Sequence, residues 1–398
     1  MGATPEPVRP QPDIASAEHA NLVPSPEPTQ APRVTELPAP TPFAPPRDLV
    51  RSVRFDVGYY YGQGKSAPQL AEELTRSWAS KGINLVYFYA FNRVYGARYY
   101  TRYSKLALED YGRQDLLKHL LREAHARGIK VIAWFYGPQS KQMWEAHPNW
   151  RQKTADGKDY RPDGDSYPLC VHNPQVVQWW LGLIGDLLDR YPDLDGVDIA
   201  EAQIDLWGDT ACHCEHCQSH LAGADSVQAW RMRRAEGLTE FILATNRLVR
   251  SHGKESHLTA VFTARPDGRL MTSADIRDAT GFDLQSILNS PDRPDVIQAE
   301  LIWQQWAALY ASSSSFSPSW TEAAVRQAKE IVAGRSRVTA HIEATDFGKG
   351  GLDGPSIHRT VAAAVAALPY GVDIYDAHLL ESIDGATGYL RTAWLTSS

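Results

Sequence analysis

The chain has 398 residues and a formal net charge of −7, from 40 Lys+Arg against 47 Asp+Glu. It has no Lys/Arg-rich run that would track phosphates, so nucleic acid is not expected as a partner. Hydrophobic residues make up 43%, enough for a core, yet no apolar stretch approaches the roughly 18 residues that cross a bilayer, so no membrane span is expected.

Half of the 26 prolines fall in residues 1–48, where Phe43 is the single aromatic residue. Such a stretch cannot bury a core and reads as a disordered, polyproline-like tether. It lacks the basic start and apolar run of a signal peptide. A tether of this kind separates a domain from an anchor or export signal, so the expected location is extracytoplasmic: periplasmic, envelope-tethered or secreted.

From about residue 50 short apolar or aromatic runs alternate with amphipathic helices, the signature of parallel βα units. The expected strands are Val53–Tyr59, Ile83–Phe91, Ile129–Tyr136, Gly196–Glu201, His257–Thr263, Val296–Trp303, Arg337–Glu343 and Gly371–Asp376. Between them lie helical patterns such as Asp115–Ala126 and Gln175–Arg190, and Gly82 and Gly128 stand where helix C-caps precede strands. Eight strands over residues 49–398 favour one (β/α)8 barrel, an α/β TIM barrel, over an open sheet. No GxGxxG turn follows the first strand to favour a dinucleotide.

The four cysteines are Cys170, Cys212, Cys214 and Cys217. Three thiols within six residues form two disulfides with Cys170 only if one bridge closes inside that short run, where strain is expected. They close readily around one ion, and the expectation is a tetrahedral, structural all-cysteine Zn2+ site. Disulfides and free thiols are the alternatives, and His213, His216 and His220 are substitute ligands.

In parallel barrels the chemistry gathers at the C-terminal strand ends. Glu201 ends the fourth strand, with Asp198 inside it; Glu343 and Asp346 follow at the seventh, Asp376 at the eighth, and Glu300 and Trp303 at the sixth. Two carboxyls facing each other across a cleft divide the work of glycoside hydrolysis. Glu201 and Glu343, on nearly opposite sides of the ring, are the expected catalytic pair. Taken singly, any such acid is more often a helix cap, an arginine partner or a solvated group. Expected substrate contacts are Asp198, Tyr59, Tyr89, Trp134, Tyr136, Gln203, Glu300, Trp303, His341, Asp346 and Asp376, with Tyr60 and Trp306 as further aromatics near strand ends. About half of these aromatics should face the helices as plain core. Segments Pro138–Tyr167 and Arg265–Pro294 read as cleft-shaping loops, the first carrying Trp144, Trp150 and Asp163.

The run from Leu169-Cys170-Val171-His172-Asn173-Pro174 through Cys217 resembles the (β/α)8 glycoside hydrolases of the large retaining clan. It is most similar to their zinc-carrying β-galactosidase-like members and to bacterial exopolysaccharide hydrolase-like proteins. The resemblance implies Glu201 as general acid/base, Glu343 as nucleophile and the four cysteines as zinc ligands, with no catalytic cofactor. The neighbouring negative charge is expected to raise Glu201 and keep it protonated. The clan's Asn before the acid/base, which holds the sugar 2-hydroxyl, is Ala200 here. That departure favours another glycan, such as a bacterial exopolysaccharide, over a β-galactoside. The rival readings are an inverting hydrolase using Asp198 or Asp346 with Glu201, a glycan-binding module on a degenerate barrel, and a metal-dependent hydrolase. For the last, His257, His341 and His378 are too scattered to make a recognisable ligand set.

Overall fold

The computed structural model describes residues 49–398 except 108, 163, 203, 205–210, 221–222, 225, 311–313, 345–351 and 396–398. Gln203, Asp346, Asp163 and the 1–48 segment therefore lie outside the described residues, as does the side chain of His220.

Eight runs rich in β-branched and aromatic residues form β1 Val50–Phe55, β2 Leu85–Asn92, β3 Lys130–Tyr136, β4 Gly196–Ala200, β5 Glu255–Val261, β6 Val296–Glu300, β7 Arg337–Glu343 and β8 Gly371–Tyr375. Each pairs in parallel with the next, and β1 pairs with both β2 and β8, which closes the ring. The expected (β/α)8 barrel is the observed one. A two-residue strand, Gly96–Ala97, folds back antiparallel on β2.

One helix after each strand covers the barrel: α1 Ala67–Ser80, α2 Leu116–His125, α3 Pro174–Arg190, α4 Val227–Ser251, α5 Leu284–Asn289, α6 Trp320–Val332, α7 Gly354–Ala366 and α8 Ala386–Trp394. The start of α3 is fixed chemically: Asn173 accepts from the Gln175 backbone N–H while Pro174 occupies the first turn, where its missing N–H costs nothing. Its buried stripe of Val176, Trp179, Trp180, Leu183, Ile184, Leu187 and Leu188 recurs at helical spacing against the strands. Gly82 and Gly128 adopt φ of 78° and 69° just past α1 and α2, the left-handed conformation expected of helix-ending glycines.

Two strands stop earlier than their apolar runs. β1 ends at Phe55 because the Asp56 side chain accepts from the Gly58 N–H and winds Val57–Tyr60 into a 3-10 turn. β6 ends at Glu300, and Trp303 instead opens a short helix, Trp303–Leu309.

Side chains of non-adjacent strands meet inside the ring and identify its inward face. The guanidinium of Arg54 on β1 donates to Asp373 on β8 at 2.9 Å, to Asp198 on β4 at 3.1 Å and to Thr259 on β5 at 2.6 Å. His341 Nδ1 meets the same Asp373 at 2.6 Å, and the Tyr87 hydroxyl meets His257 Nδ1 at 2.8 Å. With its amide turned to donate to Asp373, Gln298 accepts from Arg54 and Tyr87. Burial alone would push Asp373 up, but Arg54 and His341 outweigh it and hold the carboxylate low. The middle of the barrel is thus a closed polar layer in which each buried charge is paired, the condition under which burial is tolerable.

Candidate active site

Side chains alternate along a strand, so the inward residues two positions beyond this layer line the barrel mouth. By that count Tyr89 stands above Tyr87, Glu300 above Gln298, Glu343 above His341 and Tyr375 above Asp373. Ala200 is inward on β4, and the next residue, Glu201, leaves the strand with φ of 51°. A non-glycine residue in the left-handed region carries a local energetic cost, a feature concentrated at functional sites. Gly137 lets the chain leaving β3 run close by: its N–H donates to the Ala200 carbonyl at 2.8 Å, and a Cβ there would come within 3.4 Å of the Glu201 carbonyl.

Three carboxyls gather here: Glu201, Glu300 and Glu343. The Tyr136 hydroxyl donates to Glu201 Oε2 at 2.5 Å, and the Arg93 guanidinium lies over the Tyr136 ring, 4.6 Å from its centre. Glu343 is only 7% exposed, and its Oε2 is buried with no hydrogen-bond partner. Among the described residues no basic side chain forms an ion pair with any of the three. Burial first, then the charges of Glu300, Glu201 and Asp376, raises Glu343 well above the ordinary carboxylate range. Burial and then Glu201 do the same to Glu300, against the pull of Arg54. Among the described residues no hydrogen-bond donor reaches the Glu343 or Glu300 carboxyl, whereas Glu201 receives the Tyr136 O–H.

The remaining expected contacts divide by position. Tyr89 and Trp134 stack with centroids 3.9 Å apart and rings 8° from parallel, forming an aromatic wall beside Tyr136. Tyr59 is half-exposed and stacks on His378 at 4.7 Å. Asp376 caps the short helix Ala377–Ser382 through the Leu379 N–H, and burial raises it. The others are engaged within the protein. Asp198 is fully buried and bonded to Arg54 and Thr259, so it belongs to the polar layer below the mouth. His341, inward on β7, is held by Asp373 at the roof of that same layer. Trp303 donates its indole N–H to Thr360 on α7 and serves helix packing, and Trp306 is 1% exposed core. In the first long loop, Trp150 is buried and bonded to Gln175, while Trp144 is covered by the Arg151 guanidinium at 3.8 Å.

Sequence reasoning missed Arg54, the centre of the polar layer. Its signal was the alternation Ser52, Arg54, Asp56 against Val53 and Phe55, a polar inward face on a strand of a barrel.

The four cysteines converge as expected. They are buried and unbridged, with all four sulfurs within 4.8 Å of one another. Cys170 Sγ lies 3.4 Å from both Cys214 and Cys217, a spacing that leaves room for one ion at thiolate bond lengths. His213 is not a fifth member: it stacks on Trp230 at 5.1 Å. His172 is the unexpected neighbour, its Nδ1 3.1 Å from Cys217 Sγ, and Gly237 on α4 makes the space, since a Cβ there would sit 2.1 Å from His172 Nε2. The cluster joins the loop beyond β3 to the one beyond β4, a join reinforced by His213 N–H donating to the Lys153 carbonyl at 2.8 Å. It thereby ties down the chain on both sides of Glu201.

Comparison with known proteins agrees with this architecture. Residues 69–252 match the family model described as Glycosyl hydrolase-like 10, a span that takes in Glu201 and all four cysteines and ends before Glu300 and Glu343. Glycosyl hydrolase DigH of Escherichia coli K12 is 32% identical over 94 residues, 21% of this chain and 21% of that protein, so the match spans about a fifth of the curated relative. Among solved structures, the PgaB (BpsB) glycoside hydrolase domain from Bordetella bronchiseptica superposes with a TM-score of 0.64 at 16% identity, over 88% of this chain and 100% of that one. Alpha-L-fucosidase isoenzyme 2 from Paenibacillus thiaminolyticus gives 0.60 at 13% identity, over 87% and 48%. At such identities the likeness is one of fold. The chain is thus a (β/α)8 barrel whose residues 69–252 match the family model described as Glycosyl hydrolase-like 10.

Proposed function

We propose that this protein is a retaining glycoside hydrolase acting on a poly- or oligosaccharide, with Glu343 as nucleophile and Glu201 as general acid/base. The observation that carries this reading is the set of three carboxyls at the mouth without a basic partner among the described residues, one of them sealed with an unpartnered oxygen. Structural stability alone gives no reason to keep such a cluster. Substrate supplies what the cluster lacks. As the glycosidic bond breaks, positive charge grows at the anomeric carbon, and a carboxylate that is costly in the empty site becomes its best neighbour. Glu343 first gives up the proton that burial keeps on it, to Glu201 or to water; its carboxylate then attacks that carbon from one side while Glu201 passes its proton to the leaving oxygen. In the second step Glu201 takes a proton from water, whose oxygen displaces Glu343 from the anomeric carbon and releases the sugar with net retention.

The Tyr89–Trp134 wall suits stacking on a pyranose face. Ala200 in place of an amide goes with a sugar that needs no hydrogen bond to a 2-hydroxyl, and a bacterial exopolysaccharide is the class we favour. An extracytoplasmic site of action, with residues 1–48 as tether, accords with that substrate. We assign Zn2+ to Cys170, Cys212, Cys214 and Cys217, where it would brace the loops flanking Glu201 and take no part in the chemistry.

The test is reducing-end release from a panel of defined polysaccharides by wild type, Glu201→Gln and Glu343→Gln. Both variants should lose at least roughly 100-fold in rate, and the first anomer released by wild type should keep the substrate's configuration. Tight binding of intact glycan without any release by wild type would instead make the protein a binding module on a degenerate barrel.

A further inference from the structure

We propose that His172 is a positioning residue for the metal: its Nδ1–H donates to the Cys217 sulfur, and a notch in α4 holds the imidazole in place to do so. The inference rests on the assignment of a metal ion to the four cysteines and adds what governs its retention. His172 lies two residues after Cys170, and its Nδ1 is 3.1 Å from the Sγ of Cys217, 45 residues further along the chain. Cys217 itself belongs to the short helix Glu215–His220.

The direction of the bond follows from the sulfur. A thiolate that holds a metal has lost its proton and can only accept, so Nδ1 carries the hydrogen. Four thiolates complete a tetrahedral set around a divalent ion and leave the centre with a net negative charge. His172 therefore stands outside the set, and a donor there draws charge off one sulfur. All four cysteines are buried, which keeps water from supplying that donor.

The space for the ring is built into the fold. Gly237 lies in the interior of α4, where glycine is disfavoured against alanine. A Cβ at that position would meet the imidazole at 2.1 Å from Nε2, 2.3 Å from Cδ2 and 2.9 Å from Cε1. The ring is thus seated on the helix backbone, and any side chain at 237 expels it. The same stripe of α4 backs the rest of the cluster. Trp230 stacks on His213 at 5.1 Å, and the fully buried Arg234 donates to the Ala211 carbonyl, beside Cys212, at 3.0 Å. Positions 230, 234 and 237 share one helix face. That face offers a cation and a seat for a hydrogen-bond donor, both suited to an anionic metal–thiolate centre.

The experiment strips wild type, His172→Ala, His172→Asn and Gly237→Ala of metal and reloads each with Zn2+ or Co2+. Asn places an amide N–H where Nδ1–H stands. Zn2+ affinity should fall roughly 10- to 100-fold in His172→Ala and Gly237→Ala and stay close to wild type in His172→Asn. The Co2+ spectrum should report four thiolates in every protein, with the thiolate-to-cobalt band at longer wavelength where the donor is missing, a shift that a merely space-filling ring would not produce. Equal affinities and superimposable bands in wild type and His172→Ala overturn the proposal. So does a wild-type spectrum of three thiolates and one imidazole, which would make His172 a ligand. Should the variants not fold, 15N NMR of the His172 ring in zinc-loaded wild type decides: a proton on Nδ1 supports the proposal and a bare Nδ1 refutes it. Wild type that takes up no metal removes the metal assignment itself, whereas full uptake with unaltered variants removes this inference alone.

Discussion

Replacing Glu343 by Gln should stabilise the protein at neutral pH while abolishing its chemistry. An unfolded glutamate ionises near pH ~4.3. In the folded chain the same carboxyl is 7% exposed, has one oxygen without a partner and faces the charges of Glu300, Glu201 and Asp376, so it is raised well above that value. Below about pH 4 both states are protonated and the group contributes no pH dependence. As pH climbs past the unfolded value, the unfolded chain ionises and the folded one does not. Wild-type stability therefore falls by ~1.4 kcal/mol for each unit until the raised value is passed, and the loss then levels off. Gln keeps the shape and cannot ionise, so the variant escapes this loss. A gain of about 1 to 3 kcal/mol at pH 7 is expected, the order of cost attached to a buried polar group left unsatisfied. With ~350 folded residues at roughly 2.1 cal/mol/K each, 1 kcal/mol moves Tm by about 1.4 °C, so the variant should melt about 1.5 to 4 °C higher. Calorimetry of both proteins from pH 4 to 8 reads the difference directly. A difference that is flat with pH, or that favours wild type more as pH rises, would show that Glu343 is not a strained acid.

Tyr136→Phe removes the 2.5 Å donor to Glu201 with little change in packing. A hydrogen bond to a charged group contributes ~1.5–3 kcal/mol, so kcat/KM should fall about 10- to 100-fold with Tm near wild type, and unchanged kinetics would detach the hydroxyl from the site. Native mass spectrometry should find one Zn2+ per chain in wild type and substoichiometric metal in Cys214→Ser. Chelation should lower the wild-type Tm, and a metal-free chain with an unmoved Tm would refute the structural role of the cluster.

How far the sequence spoke for itself depended on whether a signal was local or spatial. Strand and helix positions are local, and the errors have local causes: the aromatic run through Tyr60 extends the apolar pattern of β1, but Asp56 bonding to the Gly58 N–H ends the strand. The cysteine cluster was legible because three of its four members lie within six residues. Glu201 and Glu343 were legible as acids at strand ends. The polar layer was not, because the partners of Arg54 come from β4, β5 and β8, and nothing in sequence spacing predicts which inward residues share a layer. For the same reason the sequence did not place Asp198 and His341 in that layer, where each is bonded within the barrel. Glu300 was visible as an acid near a strand end, but the carboxyls of Glu201 and Glu343 that share the mouth with it come from other strands.

The substitution of Ala for Asn before Glu201 becomes interpretable in three dimensions. Ala200 is 1% exposed and packs in one cluster with Leu85, Tyr87, Tyr89, Ile132 and Trp134. Its side chain points inward, and the chain reaches Glu201 only by turning through φ of 51°. An amide at 200 would have to enter space already filled by the stacked rings of Tyr89 and Trp134, and overpacking of that kind costs about 1 to 3 kcal/mol. The small residue and the aromatic wall are thus one feature: what the mouth lacks in an amide donor beside Glu201 it has in ring surface. On the proposed hydrolase reading, a site so built would meet a sugar on that side by its face rather than by a hydroxyl at C2. Discrimination between sugars would then fall to groups around the rim, and Arg93, whose guanidinium lies over the Tyr136 ring, is one of them.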